Sequence, residues 1–561
     1  MINKIAKSIA VSMFAAGLSG VSSASAQQQD DSYRHLFMIG GGLQVCSSFK
    51  SDQCDDTDWI NSDTMRTDRY INLSEKFRIE ATADRFWSAF REETRKKVAE
   101  VLELIHERVN EDIVSERVFE REFTRRATVQ TYNALSDAEY AKIIDLLEVP
   151  MSSEFPEVVN LDESLSKSST DIYRAWFESA QQNLDDGEKP VIYFSTAGHR
   201  DPYEPIDFYR SLFSQLGAEA KWLPLDKAVV TARNEGRCEE LSDVQQDVLG
   251  VYQRDRVYRA YYQNQVAFCQ AGEQDFDQLA EADAIFFSGP HADQIRDTLI
   301  ADDNSPSELL RMTIAQVQQK KLVVGATGAA TAALTARPMI SNGTSAAAIK
   351  EGSVAANPPA YGCDLDNTCP VNTDPDTLTY HPFGGISLFH FASLDAHFSE
   401  RGRHGRLIRL AADTSTPLSI GIDEMTAMTI NLEKGDFDLL GERGAFFVEN
   451  AQGAESAVAA TFHYLVAGAS GMIKPFGLQT AEFAEGSNIV QSEPTTNFLS
   501  DRGLIDSMRV LCGEREQMTL LNKQYRLIAQ IDDSSRTASA GGECQIVNGK
   551  IGMAYQPEEE L

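Results

Sequence analysis

Short apolar runs, each followed by a turn and a stretch of helical periodicity, set the pattern of this chain. Residues 33–39 (YRHLFMI), 190–196 (PVIYFST), 220–223, 284–287 (AIFF) and 322–324 read as strands. Near-continuous apolar character predicts strands covered on both faces. Residues 206–216 and 307–319 lie between such runs with apolar positions at helical spacing. Strand, helix, strand in that order predicts an α/β domain built on a parallel sheet. Further along, residues 417–423 and 445–448 read as strands, and residues 393–410 as a polar turn entering a basic helix. Beyond about residue 474 the rhythm fades.

Two polar, helix-rich stretches interrupt this rhythm. In the first, about residues 47–186, residues 73–110 carry Phe86, Phe90, Val98, Val101, Leu102, Ile105 and Val109 mostly on one stripe, which predicts a long helix. Ser136 followed by Glu139 is a capping box opening another helix, and residues 171–183 predict a third. The second insertion spans about residues 226–281. Residues 345–382 form a Gly-, Pro- and Asn-rich excursion long enough to act as a lid or a disulfide-braced loop. The main domain then covers residues 33–474, and residues 475–561 are a C-terminal extension ending in an acidic tail.

Composition narrows the setting. A formal net charge of −33 argues against nucleic acid and anionic membranes as partners and suits a cationic ligand, or simply solubility. Lys4 and Lys7, an apolar stretch over 9–20 and Ala24-Ser25-Ala26 read as a signal peptide over residues 1–26, which sends the protein to the periplasm or the medium. No later apolar run has membrane-spanning length. Eight cysteines suit an oxidising compartment, and proximity favours the pairs Cys46–Cys54, Cys238–Cys269, Cys363–Cys369 and Cys512–Cys544. No C-x-x-C or cysteine–histidine spacing points to zinc, and neither metal nor cofactor is expected.

Candidate chemistry centres on residues 320–342, KKLVVGATGAATAALTARPMISN. A short strand, a turn with nothing bulkier than threonine and an alanine-rich helix have the shape of a nucleophile elbow, and equally of a tight packing turn. Thr327 is the candidate nucleophile, His397 the general base and Glu424 the carboxylate that orients it. Gly40-Gly41-Gly42 after the first strand lets backbone N–H groups approach a ligand or oxyanion.

Several segments carry a resemblance. Asp395-Ala396-His397-Phe398, with Arg401, Arg403, Arg406 and Leu407, is similar to the D-Q-H-F-x-x-R-x-R-x-x-R-L motif of cyanophycinases, serine peptidases related to dipeptidase E. Ile420-Gly421-Ile422-Asp423-Glu424, then Thr426-Ala427, resembles their G-I-D-E-x-T-A strand end, 27 residues after the histidine. Gly289 with Asp293, Gln294 and Arg296 resembles their G-G-D-Q-x-R loop, and Met339-Ile340-Ser341-Asn342-Gly343 their M-I-x-G-G. The stretch GERGAFFVEN, residues 441–450, resembles their next strand. This resemblance implies a three-layer α/β/α sandwich with a mostly parallel sheet, like that of class I glutamine amidotransferases, carrying large helical insertions. It implies hydrolysis of cyanophycin or related β-aspartyl peptides by acyl transfer. Thr327, His397 and Glu424 would be catalytic, and Gly41, Gly289 and Gly328 would form the oxyanion site. Gln294, Asp395, Arg401, Arg403 and Arg406 would bind substrate, the arginines clamping its carboxyls.

Three positions depart from the family. Its G-T-S-A-G-A elbow has no serine counterpart in residues 325–336: anchoring on Gly325 places Thr327 at the serine position, and anchoring on Met339-Ile340 places Ala329 there. Ala396 replaces the glutamine before the histidine, and Pro290-His291-Ala292 lengthens the glycine loop. Gly343-Thr344-Ser345-Ala346 spells a closer elbow, but no apolar strand precedes it. Two functions follow: a hydrolase in which Thr327 serves as nucleophile, or a relative that binds an aspartyl peptide without turnover. A third is an envelope interaction protein that works through its helical insertion.

Overall fold

The protein is described from a computed structural model covering residues 33–557, except 153, 186, 273–278, 361, 487–496 and 514, and only the backbone of residue 366. The expected signal segment and the three glutamates of the acidic tail lie outside the described residues.

The apolar runs assemble into a nine-stranded sheet. Its order is Gly477–Glu482, Ser470–Lys474, Asp436–Gly441, Thr426–Ile430, Leu36–Ile39, Val323–Thr327, Ala284–Phe287, Val191–Ser195 and Glu219–Leu223. From Leu36–Ile39 to Glu219–Leu223 every pairing is parallel, with Ile39 opposite Thr327. On the other side of Leu36–Ile39 every pairing is antiparallel. The sheet is therefore half parallel, a correction to the mostly parallel sheet expected. Helices carry the crossovers of the parallel half, whereas in the other half tight turns join Thr426–Ile430 to Asp436–Gly441 and Ser470–Lys474 to Gly477–Glu482, so that half shows no strand–helix rhythm.

Both faces of the parallel half are covered, which is why its strands are apolar throughout. Phe37, Ile192, Phe194, Phe286 and Val323 pack against Trp176 and Tyr173 of the helix Lys167–Gln181 and Phe213 of the helix Ile206–Leu216. Met38, Ile285, Phe287, Val324 and Ala326 turn to the opposite face, toward the helices Ala292–Leu299, Glu308–Gln318 and Ala329–Ala333. Gly325 is glycine for packing. A β-carbon there would lie 2.5 Å from the Phe286 ring and 2.9 Å from Trp176 Nε1.

A second, eight-stranded sheet was not foreseen. It runs Ser393–Asp395, Leu418–Ile422, Gly444–Ala454, Ala457–Val466, Glu543–Tyr555, Tyr525–Gln530 and Gln517–Asn522, with Arg536–Ala540 beside Glu543–Tyr555. The chain beyond residue 474 thus supplies edge strands to both sheets. In Gln517–Asn522 polar residues alternate with buried Met518 and Leu520, the signature of a half-buried antiparallel strand.

The first insertion has its own core, including Leu73, Val98, Leu102, Ile105, Phe119, Phe123 and Ile143. The expected long helix is broken into Glu75–Ala81 and Glu92–Val109. Trp87 buries its ring at the break and donates Nε1–H to the Ala81 carbonyl, so the first helix ends there. The capping box at Ser136 opens Asp137–Leu147. Buried Arg254 of the second insertion bonds Glu148 and Asp201 at 2.8 Å each, tying the two insertions to the core. All four expected disulfides are formed and no described cysteine is free.

Candidate active site

The site lies at the C-terminal ends of Leu36–Ile39, Val323–Thr327 and Ala284–Phe287, where open α/β sheets present their crevice. Three turns meet there: Gly40–Gly42, the turn at Gly328 and the turn at Gly289.

His397 reaches the crevice from the second sheet. Its N–H donates to the Gly40 carbonyl at 2.7 Å, and its φ of +47° turns the ring over Gly41. A β-carbon on Gly41 would lie 2.3 Å from His397 Cε1, and one on Gly42 2.7 Å from Glu424 Oε2, so only glycine passes between them. Glu424 Oε1 lies 2.7 Å from His397 Nδ1. That bond, with the nearby Arg401 and Arg443 charges, holds the Glu424 carboxyl below its usual range. The imidazole is thereby oriented with Nε2 directed away from Glu424.

Nε2 faces Gly328. This residue has φ +63° and ψ −133°, between the strand Val323–Thr327 and the helix Ala329–Ala333. It is the sharp strand-to-helix turn on which an elbow nucleophile stands. A β-carbon built there would lie 3.0 Å from His397 Nε2. Thr331 pins the turn, donating Oγ1–H to the carbonyls of Ile39 at 2.7 Å and Ala326 at 2.9 Å. Nε2 bonds no hydroxyl among the described residues.

Thr327 is one residue short of that position. It pairs with Ile39 in the sheet and, by strand alternation, shares the face of Val323 and Gly325. Its hydroxyl makes no hydrogen bond to His397. Ser345 is buried, donates Oγ–H to the Gly402 carbonyl at 2.6 Å and accepts the Arg406 N–H, so it braces the fold.

The remaining candidates separate. The N–H groups of Gly41 and Gly289 meet no acceptor among the described residues. The Gly289 carbonyl lies 4.0 Å from the β-carbon position of Gly328. The Gly328 N–H instead donates to the Ile39 carbonyl at 3.0 Å, which corrects its expected oxyanion role. The Ala329 N–H opens the following helix with no backbone acceptor among the described residues, and it is the donor singled out by the rule that an oxyanion site uses the residue after the nucleophile.

Asp395, Arg403 and Arg406 are also corrected. Asp395 is 1% exposed. It accepts two bonds from Arg406, at 2.8 and 2.6 Å, and one from Arg403 at 3.2 Å. Burial alone would raise its pKa, but the Arg406 and Arg403 charges hold it below the usual carboxylate range. Arg406 also donates to the Gly343 carbonyl and Arg403 to that of Ala396, both at 2.6 Å. These bonds commit both guanidinium groups to Asp395 and to backbone carbonyls of the segments around His397. Arg401 differs: it is exposed, with no side-chain partner among the described residues, and its charge acts on Glu424. Gln294, on the helix Ala292–Leu299 after the glycine loop, has a buried Oε1 with no partner among the described residues.

Among the described residues, no group of three or more His, Cys, Asp or Glu side chains could hold a metal ion, and no helix is long and apolar enough to cross a membrane. No protein-family profile matches the chain. The crystal structure of a peptidase from an acI-B1 Actinobacterium matches it at 16% identity over 58% of this chain and 95% of that one, with a TM-score of 0.32, too low to carry an argument.

Proposed function

We propose that the protein is a cyanophycinase-like relative with a class I glutamine amidotransferase-like core that binds cyanophycin or another β-aspartyl peptide without covalent turnover. The observation that carries this reading is the glycine in front of His397. Set on its backbone conformation, the elbow aligns the family's T-S-A with Thr327-Gly328-Ala329, so glycine stands where the serine hydroxymethyl would project. A His–Glu pair without its nucleophile loses about 10⁶-fold in turnover, keeping only about 10³-fold over water from oxyanion donors and binding. The ligand-facing parts remain: free N–H groups at Gly41, Gly289 and Ala329, the unpaired Arg401 guanidinium for a peptide carboxylate, and an acidic chain suited to a cationic polymer. Four disulfides suit a periplasmic or secreted protein.

Titration calorimetry with soluble cyanophycin or β-aspartyl-arginine, run beside a dipeptide-release assay, tests this. Binding without release is expected. Release by the unaltered protein that His397→Ala abolishes would overturn it. The second reading, hydrolysis through Thr327, is favoured by the intact His397–Glu424 bond. It requires release that Thr327→Ala removes.

A further inference from the structure

We propose that Arg502, from the chain after residue 497, is a positioning residue for the His397–Glu424 pair. The turn at residues 499–502 lies directly on the turn that follows His397. Asp501 N–H donates to the Glu400 carbonyl at 3.0 Å, and Arg502 N–H to the Ser399 carbonyl at 2.9 Å. A β-carbon on Gly402 would lie 2.1 Å from the Leu499 carbonyl oxygen, so the two turns are in contact.

From there the Arg502 side chain enters the space behind the pair. It donates to Glu400 Oε1 at 2.8 Å, Asp423 Oδ2 at 3.1 Å and Glu543 Oε1 at 2.9 Å. The two inner carboxylates each hold one side of the pair. Glu400 Oε2 accepts the Glu424 N–H at 2.9 Å. Asp423 Oδ1 accepts the Ser399 N–H at 3.0 Å, two residues beyond His397. Asp423 also accepts the Tyr464 hydroxyl at 2.9 Å, and Arg443 bonds Glu400. Two like charges in one dry place repel, and burial with the Glu400 charge pushes the Asp423 carboxyl up to about 6. Nη1 of the guanidinium donates to both of them while Nη2 holds Glu543, a span across three carboxylates that the single nitrogen of an ammonium does not reproduce. The outer end is anchored as well: Glu543 bonds Arg509 and precedes Cys544, which is joined to Cys512. Through Glu543, Arg502 thus links the C-terminal strand Glu543–Tyr555 to the turn that follows His397.

This inference rests on the reading above only in taking the crevice beside His397–Glu424 as the ligand cleft. Its readout is the bond itself, so failed ligand binding does not decide it. In the full chain with labelled histidine, the His397 Nδ1–H resonance, assigned by its loss in His397→Ala, and its exchange with water are followed by NMR. Arg502→Met is expected to speed exchange by about tenfold or more, and Arg502→Lys to recover part of the protection. Arg254→Met, which loosens the insertions, is expected to lower thermal stability and leave that resonance unchanged. An unchanged resonance in folded Arg502→Met overturns the proposal, as does an equal change in Arg254→Met. If Arg502→Met does not fold, Glu543→Gln decides in its place: faster exchange supports the proposal and unchanged exchange overturns it.

Discussion

Gly328 stands in front of His397 so closely that a β-carbon on it would lie 3.0 Å from Nε2. The imidazole and its carboxylate partner are bonded, and the residue that faces Nε2 carries only a hydrogen in place of a side chain.

One added side chain therefore tests the arrangement. Gly328→Ser is expected to gain covalent labelling by a fluorophosphonate probe and release of β-aspartyl-arginine, roughly a thousandfold or more above the parent. Its φ of +63° strains a non-glycine residue by about 1–3 kcal/mol, so a lower melting temperature accompanies the gain. Gly328→Ala carries the same strain without the hydroxyl and stays inactive. Equal labelling of Gly328→Ser and Gly328→Ala would remove Gly328 from the nucleophile position.

Arg401 is the one arginine among 401, 403, 406 and 409 without a partner among the described residues. Arg401→Gln is expected to weaken binding of β-aspartyl peptides by about ten- to a hundredfold, the range of a hydrogen bond to a charged group. Being exposed, it leaves the melting temperature unchanged. Calorimetry with an unchanged dissociation constant would exclude it as a ligand contact.

Asp395 is expected to act on stability. Asp395→Asn leaves buried Arg406 without its counter-charge and destabilises by about 3–5 kcal/mol. The Asp395 pKa is lower in the folded than in the unfolded chain. Its contribution is therefore present above the unfolded value of 3.8 and is lost as pH falls through the folded value. Denaturant titrations of both proteins should begin to converge as pH falls below about 4. A constant difference down to pH 2 would contradict the pairing.

Asp423 carries the opposite sign. Its folded pKa of about 6 lies above the unfolded 3.8, so the stability it contributes is full below 3.8 and lost as pH rises through 6. Asp423→Asn should flatten that part of the stability–pH curve between these values. An unaltered slope in the variant would place the titration elsewhere.

By itself the sequence determined the elements whose signal is local. Ala284–Phe287 and Ile206–Leu216 fall where apolar runs and helical spacing put them, because burial on both sides demands such runs. His397 and Glu424 were legible through their motifs, and their bond is formed. Cysteines near one another in the chain are the ones that pair. What only the tertiary structure decided depends on direction. Thr327 and Gly328 are neighbours in the chain, yet pairing with Ile39 turns one along the sheet while a φ of +63° turns the other toward His397. No composition rule gives that one-residue offset, because it is set by backbone torsion and by a strand almost three hundred residues away. The resemblance makes Arg403 and Arg406 clamps on substrate carboxyls, but at the start of the helix His404–Thr414 both turn inward to Asp395. The strands after residue 474 stayed hidden because alternation over a half-buried edge is a weak signal until its partner strand is known.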